Sequence, residues 1–295
     1  MSGPILVLGG TGRLGHAVIA ELTRRGRAFD APSRAEFDLS AVASVGGLLD
    51  TLRPTAVANL AAFTDVAAAE LPENAEATIA LNVELPAALA RACARLAIPL
   101  VHVSTDFVFD GAQSRPYLEG DSVNPLQVYG ATKLDGERAA LARNPHVLIL
   151  RVSTLYGPGR AQQPAYVDAI LRQARASAEA GCGVLEVVET PVSSPTYAPD
   201  VAPVLVDLLD LGVTGIVHAV NDGAASRLEL AQAAVTLAGL GDRVTVRVRP
   251  APATGLRRPA YSVLDTSKLH HLLDRRLPSW KDALGRYVGE LTVNS

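Results

Sequence analysis

The chain contains almost no lysine. Only three lysines stand among its 295 residues, so arginine supplies nearly all of the 27 basic side chains, and the formal net charge at pH 7 is −3. A nucleic-acid-binding surface needs clustered positive charge, and this balance provides no such field. No nucleic-acid partner is therefore expected.

Cysteine and long apolar runs are equally scarce. Cys93 and Cys182 lack the spacing of a metal or redox motif, and His270 and His271, as sequence neighbours, do not share a helix face. No apolar run reaches the roughly 18 residues of a membrane span, and the N-terminus enters an apolar run without a basic leader. These absences predict a cytoplasmic protein with no metal site and no membrane partner.

The N-terminal region has the pattern of a strand, a glycine turn and a helix. Gly9, Gly12 and Gly15 follow the apolar run 5–8 and precede a helical pattern that ends at Gly26. Glycines at such a turn let the backbone approach a pyrophosphate, which lies at the helix N-terminus, where amide donors and the helix dipole favour anions. The sequence therefore predicts a dinucleotide site here.

The end of the second strand decides which nicotinamide cofactor fits. An acidic side chain there binds the ribose 2′-hydroxyl of NAD, whereas an arginine accepts the 2′-phosphate of NADP. With the second strand at 27–31, no carboxylate stands clearly at its end, and Ser33 and Arg34 can donate to a phosphate. NADP(H) is therefore preferred over NAD(H), unless a shifted strand boundary gives Asp30 or Glu36 the acidic position.

Short apolar runs alternate with helical patterns along the first half of the chain. Runs at 56–60, 99–104 and 146–152 are separated by helical segments, one of them long and alanine-rich at 75–96. Such alternation predicts an α/β fold, a Rossmann-type doubly wound parallel sheet with helices on both faces. Ligands of such sheets bind at the carboxyl ends of the strands.

The pattern loosens in the second half of the chain. We predict an NAD(P)-binding domain at 1–155, and at 156–295 mainly a smaller, interleaved C-terminal substrate lobe. Segments near 184–220 are expected to return to the main sheet, because the apolar run 217–220 has the pattern of a further strand.

Tyr129 and Lys133 form the most informative pair in the chain. With seven tyrosines and three lysines available, a chance Tyr-x-x-x-Lys match is rare, and helical spacing places both side chains on one face. A phenol is a poor acid–base group at neutral pH until a neighbouring ammonium stabilises its phenolate. The pair therefore indicates proton transfer at a carbonyl or alcohol oxygen, although a surface contact between the two side chains would give the same spacing.

Together with the glycine turn and Thr105 at the end of the fourth strand, this pair resembles the extended short-chain dehydrogenase/reductase family. More narrowly, the chain resembles the dTDP-4-dehydrorhamnose reductase family. The resemblance covers most of the chain and is carried by 61–70, Asn82, 104–111, 124–137, 195–197, 258–259, 264–265 and 268–269.

The resemblance implies a catalytic set of three residues. Tyr129 would protonate a ketone oxygen as hydride arrives from the nicotinamide, Lys133 would hold the cofactor ribose and lower the tyrosine pKa, and Thr105 would donate to the same oxygen. Preorganised donors of this kind stabilise the developing alkoxide. The function implied is that of an NAD(P)H-dependent reductase of a nucleotide-linked 4-keto-6-deoxysugar, with a homodimer left open.

Two sets of candidate contacts follow from the motifs and the resemblance. Candidate cofactor contacts are Gly9, Thr11, Gly12, Arg13, Leu14, Gly15, Ser33, Arg34, Asp38, Leu39, Ala61, Ala62, Tyr129 and Lys133. Candidate substrate contacts are Thr64, Val66, Thr105, Asp106, Phe107, Ser153, Thr154 and Arg258. Arg151 and Arg160 are further candidates for a diphosphate clamp, and the sequence does not choose among the arginines.

Departures from the family pattern concern the sugar. Sibling dehydratases place a glutamate where this chain has Phe107, which disfavours dehydration. Ala67 replaces an aspartate, Thr154 replaces a tryptophan on which a sugar ring could stack, and 190–193 lacks an Asp-Gln-x-Gly motif. These changes leave the acid–base set intact and put the particular sugar in doubt.

Two other classes of function remain open at this stage. The same family contains proteins that serve as regulatory partners of other enzymes, and the altered substrate loops favour such a nucleotide-binding subunit. The intact set of Thr105, Tyr129 and Lys133 disfavours it. A nucleotide-sugar epimerase, or a reductase of a non-nucleotide ketone, is the third alternative.

Overall fold

A six-stranded parallel sheet forms the centre of the computed structural model, which describes residues 3–159, 164–250 and 255–293. Its strands are β1 (Ile5–Leu8), β2 (Phe29–Asp30), β3 (Ala56–Asn59), β4 (Leu100–Thr105), β5 (Leu148–Val152) and β10 (Gly215–His218). Their order is β2-β1-β3-β4-β5-β10. The order reverses between β1 and β3, which opens the crevice where doubly wound sheets bind ligands. The α/β doubly wound fold predicted from the sequence is confirmed.

Helices cover both faces of this sheet. They are α1 (Arg13–Arg24), α2 (Val45–Leu52), α3 (Ala75–Ile79), α4 (Leu85–Leu96), α5 (Val128–Arg143), α6 (Tyr166–Glu179), α7 (Ala198–Asp210), α8 (Arg227–Leu237), α9 (Ser267–Leu273) and α10 (Trp280–Val293). One apolar core lies under α1 and α7 and a second under α2 and α4. The central strands are buried on both faces, which explains their continuous apolar runs.

A smaller lobe has its own apolar core, formed by α6, α8 and α10. Its strands are β6 (Leu155–Tyr156), β7 (Val184–Val187), β8 (Val192–Ser193), β9 (Thr196–Tyr197), β11 (Ala225–Ser226) and β12 (Thr245–Val248). They form three two-stranded sheets, β6 with β9, β7 with β12, and β8 with β11. Within the segment 184–220, α7 packs on α1 and β10 pairs with β5, whereas β7 stays in the lobe because its partner is β12.

The helical segment 75–96 is interrupted, although the sequence pattern predicts one continuous helix. A π-helical turn at Ala80–Glu84 separates α3 from α4. Pro86 has no N–H to donate to the carbonyl of Asn82, so the regular hydrogen-bond ladder cannot continue through this point. The Asn82 carbonyl instead lies against Gly136 of α5, where an added Cβ would be 2.0 Å from the oxygen.

We expect Gly136→Ala to destabilise the protein by about 3 kcal/mol, because neither the Asn82 backbone nor α5 can yield without moving a helix. Gly47→Ala in α2 is the matched control, since a Cβ at Gly47 would meet no atom within 4 Å. The control should be neutral or stabilising by about 0.5 kcal/mol. Urea unfolding of the two variants measures the difference, and equal stabilities would contradict the close contact.

Candidate functional site

The glycine turn after β1 is shaped for a close ligand. An added Cβ at Gly15 would lie 2.1 Å from the Gly9 carbonyl oxygen, and one at Gly9, where φ is +80°, would lie 2.7 Å from the Ala61 nitrogen. Gly12 is the N-cap of α1, without a side-chain cap and with no acidic residue in the first turn. Backbone donors at a positive helix end therefore line this turn, and they fit a diphosphate.

The end of β2 differs from the predicted strand 27–31. Only Phe29 and Asp30 pair with β1, so the strand ends on a half-buried carboxylate. Ser33 donates its backbone N–H to Glu36 Oε2 at 2.7 Å, and Arg34 is exposed. Asp30, the acidic alternative for binding the ribose 2′-hydroxyl of NAD, is therefore the last residue of β2, whereas the sequence pattern ended the strand one residue later.

Other predicted cofactor contacts lie beside these elements. Thr11 is exposed at the turn, Leu14 is buried in α1, and Arg13 forms an ion pair with Asp168 of α6 at 3.2 Å. Asp38 accepts from the backbone N–H and the hydroxyl of Ser40, and Leu39 packs on the core under α2. Arg13 thus bridges the nucleotide-binding turn to the lobe.

The loop after β3 is held by two buried asparagines. Asn59 Oδ1 accepts from the Ala61 N–H at 3.3 Å, and Asn82 both accepts from and donates to the backbone of Phe63, at 2.9 and 3.2 Å. Asn82 also donates to the Thr132 hydroxyl of α5 at 3.2 Å. Ala61 and Ala62 are therefore fixed beside the glycine turn. Thr64 lies exposed further along this loop and Val66 half-buried.

A buried carboxylate lies at the end of β4. Asp106 accepts hydrogen bonds from the hydroxyls of Thr105 at 3.1 Å, Ser153 at 2.8 Å and Ser262 at 2.5 Å. Burial raises the pKa of Asp106 to about 6, and the hydrogen bonds from the three hydroxyls oppose the shift. Asp106 thereby ties the end of β4 to β5 and to the C-terminal region.

The phenol of Tyr129 faces this cluster. Its ring meets that of Phe107 edge to face at 6.0 Å. Burial raises the pKa of Tyr129 to about 12; the Thr105 hydroxyl opposes this rise and the charge of Asp106 adds to it. Desolvation of the phenolate dominates this pKa, and that Lys133 lowers it stays a prediction.

Lys133 lies one helical turn beyond Tyr129 and is almost completely buried. Its Nζ donates to the Val103 carbonyl at 2.7 Å and lies 3.3 Å from Nε2 of His102. Burial lowers the pKa of Lys133 to about 8, and the nearby Glu137 carboxylate raises it in part. The ammonium of this lysine is thus much less stable than that of an exposed one.

Arg151 is not available to clamp a substrate. Its guanidinium forms a bidentate ion pair with Glu137 at 2.9 and 2.7 Å, and both side chains are 2% exposed. The guanidinium also lies over the ring of Phe109 at 5.2 Å. Arg151 therefore stabilises the interior beneath α5, and Arg160, the other arginine considered for this role, lies outside the described residues.

Thr154 occupies an unusual backbone position at the lobe. Its φ is +41°, a left-handed conformation that is costly for a β-branched residue. Its hydroxyl is 2.8 Å from that of Ser193 in β8. Together with Ser153, this pair extends the line of hydroxyl groups from Asp106 toward the lobe.

Two arginines of the C-terminal half, Arg227 and Arg258, lie close enough for the charge of one to act on the other. Burial, and then the charge of Arg258, lowers the pKa of Arg227, whose guanidinium lies over the Tyr166 ring at 4.7 Å. Among the described residues, neither arginine has a carboxylate in an ion pair. Such a pair of uncompensated cations fits an anionic group such as a diphosphate.

A cavity of about 460 Å³ opens beside the start of α5. It is lined by Ala67, Glu70, Leu126, Gln127, Gly255, Leu256 and Arg257. Glu70 also accepts from the Val128 N–H at 2.7 Å, which fixes the first turn of the helix that carries Tyr129.

The structure brings Thr105, Asp106, Tyr129 and Lys133 together at the end of β4, as their motifs predict. Sequence reasoning missed His102, Arg227 and Ser262, which lie in no motif that it used, and it noted 190–193 only for the motif that this segment lacks, without assigning a role to Ser193. Only His102 carried a signal, since a histidine inside an apolar strand must find partners when it is buried.

A Rossmann-type sheet, a bare glycine turn and a tyrosine–lysine helix define a dinucleotide-binding protein of the short-chain dehydrogenase/reductase type. A family model described as "RmlD substrate binding domain" matches residues 3–293. The chain belongs to this family.

Individual relatives agree with the family. The chain is 36% identical to a dTDP-4-dehydrorhamnose reductase of Mycobacterium tuberculosis over 95% of this chain and 90% of that protein. It also resembles a crystal structure of a dTDP-4-dehydrorhamnose reductase from Clostridium acetobutylicum, with 30% identity, a TM-score of 0.87, and coverage of 98% of this chain and 99% of that one. A Bacillus anthracis dTDP-4-dehydrorhamnose reductase in complex with NADP is similar at 25% identity and a TM-score of 0.89, covering 98% of this chain and 100% of that one.

Within 3–159, 164–250 and 255–293, no helix is both long and apolar enough to cross a membrane. In the same residues, no group of three or more His, Cys, Asp or Glu side chains is arranged to hold a metal ion.

We expect Asp106→Asn to become more stable relative to the wild type as pH rises. In the wild type, the folded-state pKa of Asp106 is about 6, above the ordinary 3.8, so the folded protein retains this proton to higher pH than the unfolded chain. The wild type therefore loses stability as the pH rises from about 4 to 6, and the variant does not. The difference in unfolding free energy should change by about 2 kcal/mol from pH 4 to 7. Urea unfolding of both proteins measures it.

Ser153→Ala provides an independent check of the same carboxylate. Loss of one hydrogen bond that lowers the pKa should raise the pKa of Asp106 further and move the loss of stability to higher pH. Parallel stability curves for the wild type and both variants between pH 4 and 7 would show that Asp106 does not carry the raised pKa.

Proposed function

We propose that this protein is an NAD(P)H-dependent reductase of a nucleotide-linked 4-keto-6-deoxysugar. The observation that carries the proposal is the placement of Tyr129 against Thr105, at the carboxyl end of β4 and one turn from Lys133. Family membership and relatives named as dTDP-4-dehydrorhamnose reductases support the same reaction class.

The proposed roles follow from what each side chain can donate. A bound nicotinamide supplies the hydride. Tyr129, protonated over the whole neutral range because its pKa is about 12, gives its proton to the ketone oxygen. Thr105 orients that oxygen through its hydroxyl, and Lys133 binds the cofactor ribose through Nζ. Thr105 and Lys133 are buried and Tyr129 is half-buried, which limits the access of competing water.

The substrate is proposed to be a diphosphate-linked sugar because two arginines without ion-pair partners among the described residues lie in the C-terminal half, which also supplies Ser262 to Asp106. Arg227 and Arg258 would bind the diphosphate, and the cavity beside Gln127 would accept the nucleotide. The hydroxyls of Ser153 and Thr154 would face the sugar. Phe107, in the place of a dehydratase glutamate, supports reduction rather than elimination.

We further propose that residues 1–155 bind the cofactor and that 156–295 mainly bind the sugar nucleotide. The separate core of the lobe supports this division, and α7 and β10 provide its rigid connection to the main sheet. A homodimer is compatible with the proposal but is not needed for it, since the proposed catalytic groups all come from one chain.

Tyr129→Phe should lower kcat by about 10²- to 10⁴-fold, because the proton donor is lost while the ring remains. Purified protein is assayed for NADPH oxidation with a dTDP-4-keto-6-deoxysugar, and NADPH affinity is measured separately and should change little. Tyr156→Phe is the matched control, because its buried hydroxyl has no hydrogen-bond partner among the described residues.

Two outcomes would reject parts of this proposal. Comparable loss of turnover and of cofactor affinity in Tyr129→Phe would indicate a purely structural tyrosine. If the wild type turns over none of several keto-sugars and copurifies in stoichiometric amount with another enzyme, the protein is a nucleotide-binding regulatory subunit. Tightly held NAD(H) after purification would instead support an epimerase.

NADPH is proposed to be preferred over NADH, with Arg34 as the residue that recognises the 2′-phosphate. Arg34→Ala should raise the KM for NADPH about tenfold or more, since a charge-assisted contact is lost, and leave that for NADH almost unchanged. Arg95→Ala is the control, because its exposed ion pair with Asp50 lies elsewhere. A larger effect of Asp30→Ala on NADH binding than of Arg34→Ala on NADPH binding would reverse the preference.

A further inference from the structure

A buried chain of polar groups links Lys133 to the loop after β3. The Ala61 N–H donates to Asn59 Oδ1 at 3.3 Å, Asn59 Nδ2 is 3.0 Å from His102 Nδ1, and His102 Nε2 is 3.3 Å from Lys133 Nζ. Lys133 Nζ also donates to the Val103 carbonyl at 2.7 Å. Asn59 and His102 are completely buried, so water cannot replace a missing partner.

The backbone N–H of Ala61 fixes which groups donate and which accept along this row of polar side chains. Because the amide oxygen of Asn59 accepts from the Ala61 N–H, its NH₂ group must face His102 and donate to Nδ1. A neutral imidazole that accepts at Nδ1 carries its proton on Nε2. That proton therefore points at Nζ of Lys133.

This direction conflicts with an ammonium at Lys133. An ammonium has three N–H donors and no acceptor, so an ammonium and the Nε2–H group would face each other at 3.3 Å. A neutral amine can accept from His102 and still donate to Val103. His102 cannot relieve the conflict by becoming a cation, because burial and then the charge of Lys133 hold the pKa of His102 far below its ordinary value.

The other groups around Lys133 leave both of its charge states accessible. Glu137, one turn further along α5, favours the ammonium, but its carboxylate is already paired with Arg151. Tyr129, one turn earlier, is neutral up to about pH 12, and Asp106 faces Tyr129 rather than Nζ. Burial brings the pKa of Lys133 down to about 8, so the two states exchange near physiological pH.

We propose that His102 is a positioning residue that couples the charge of Lys133 to the orientation of Asn59 and so to the cofactor loop at Ala61. In one state Lys133 is an amine, His102 carries its proton on Nε2, and Asn59 holds Ala61. In the other state Lys133 is an ammonium, His102 carries its proton on Nδ1, and the Asn59 amide has turned its oxygen toward His102, releasing the Ala61 N–H.

The coupling reaches the nucleotide-binding turn directly. Ala61 packs against Gly9, where an added Cβ would lie 2.7 Å from the Ala61 nitrogen. The inference rests on the proposed role of Lys133 in holding the cofactor ribose, because an oxygen acceptor at Nζ would favour the ammonium. At a pH above the pKa of Lys133, the protein would then take up one proton when the cofactor binds, and the contact at Ala61 would loosen.

The scarcity of lysine makes a direct test possible. In protein labelled with ¹³C-lysine, only Lys133, Lys268 and Lys281 contribute signals, and the Lys268→Arg/Lys281→Arg protein leaves Lys133 alone. In the cofactor-free protein we expect the Cε resonance of Lys133 to titrate near pH 8. The ¹⁵N resonances of His102 should exchange the protonated nitrogen from Nδ1 to Nε2 over the same pH range.

Two variants test the coupling from opposite ends. In Asn59→Asp the carboxylate can only accept, which locks the proton on Nδ1 of His102, so the midpoint of Lys133 should rise by about one pH unit or more. In His102→Gln the side-chain carbonyl can accept from the ammonium, so this midpoint should also rise. His146→Gln, at an exposed histidine, is the control and should leave it unchanged.

The outcomes separate this inference from the proposed function. A Lys133 titration without a change of the His102 tautomer, or unchanged midpoints in both variants, would overturn the coupling and leave His102 as a packing residue. If the coupled titration is present but no keto-sugar is reduced, the proposed function fails while the coupling stands. If a keto-sugar is reduced but the coupled titration is absent, the proposed function stands and the coupling is rejected.

Discussion

The site depends on how closely α5 approaches the strand ends. An added Cβ at Gly130 would lie 2.2 Å from the Phe107 carbonyl oxygen, and one at Gly136 would lie 2.0 Å from that of Asn82. The helix therefore touches backbone at two points that bracket Lys133. With Glu70 holding its first turn, α5 has no freedom to rotate or slide, so Tyr129 and Lys133 are fixed against the end of β4.

Burial dominates the electrostatics of this arrangement. It raises the pKa of Tyr129 and lowers that of Lys133, so each group is shifted toward its neutral form. A neighbouring ammonium would lower the phenol pKa in water, but the interior penalises a phenolate and an ammonium more than their attraction repays. Tyr129 is consequently a protonated phenol rather than a phenolate, which suits a group that must donate a proton during reduction.

Features that depend only on the local sequence pattern within one element were predictable. The glycine turn between β1 and α1 and the register of Tyr129 with Lys133 follow from spacing within one element. Pro86 also carried a usable signal, because proline interrupts a helix, and the single predicted helix at 75–96 ignored it. The two-residue strand β2 is too short for periodicity to locate its end, which explains the misplaced boundary at Asp30.

Contacts between distant parts of the chain could not be predicted in this way. Ser262 reaches Asp106 across 156 positions, and the charge of Arg258 acts on Arg227 from 31 positions away. Hydroxyl and guanidinium groups outside motifs have no periodic pattern, so their partners depend on the tertiary fold. The first half of the chain, with its alternating strands and helices, was therefore more predictable than the second half.

Thr154, in the second half of the chain, has a strained backbone conformation. A left-handed threonine costs on the order of 1–3 kcal/mol, and the surrounding structure, including the contact with Ser193, must hold it there. Where the family pattern has an aromatic ring, this chain presents hydroxyls. A sugar at this position would be selected through hydrogen bonds rather than stacking, and a buried polar site discriminates strongly against a ligand that lacks the matching group. If the sugar binds at this position, as proposed, the replaced tryptophan would change the kind of selectivity while the positions of Tyr129 and Lys133, fixed by α5, remain as they are.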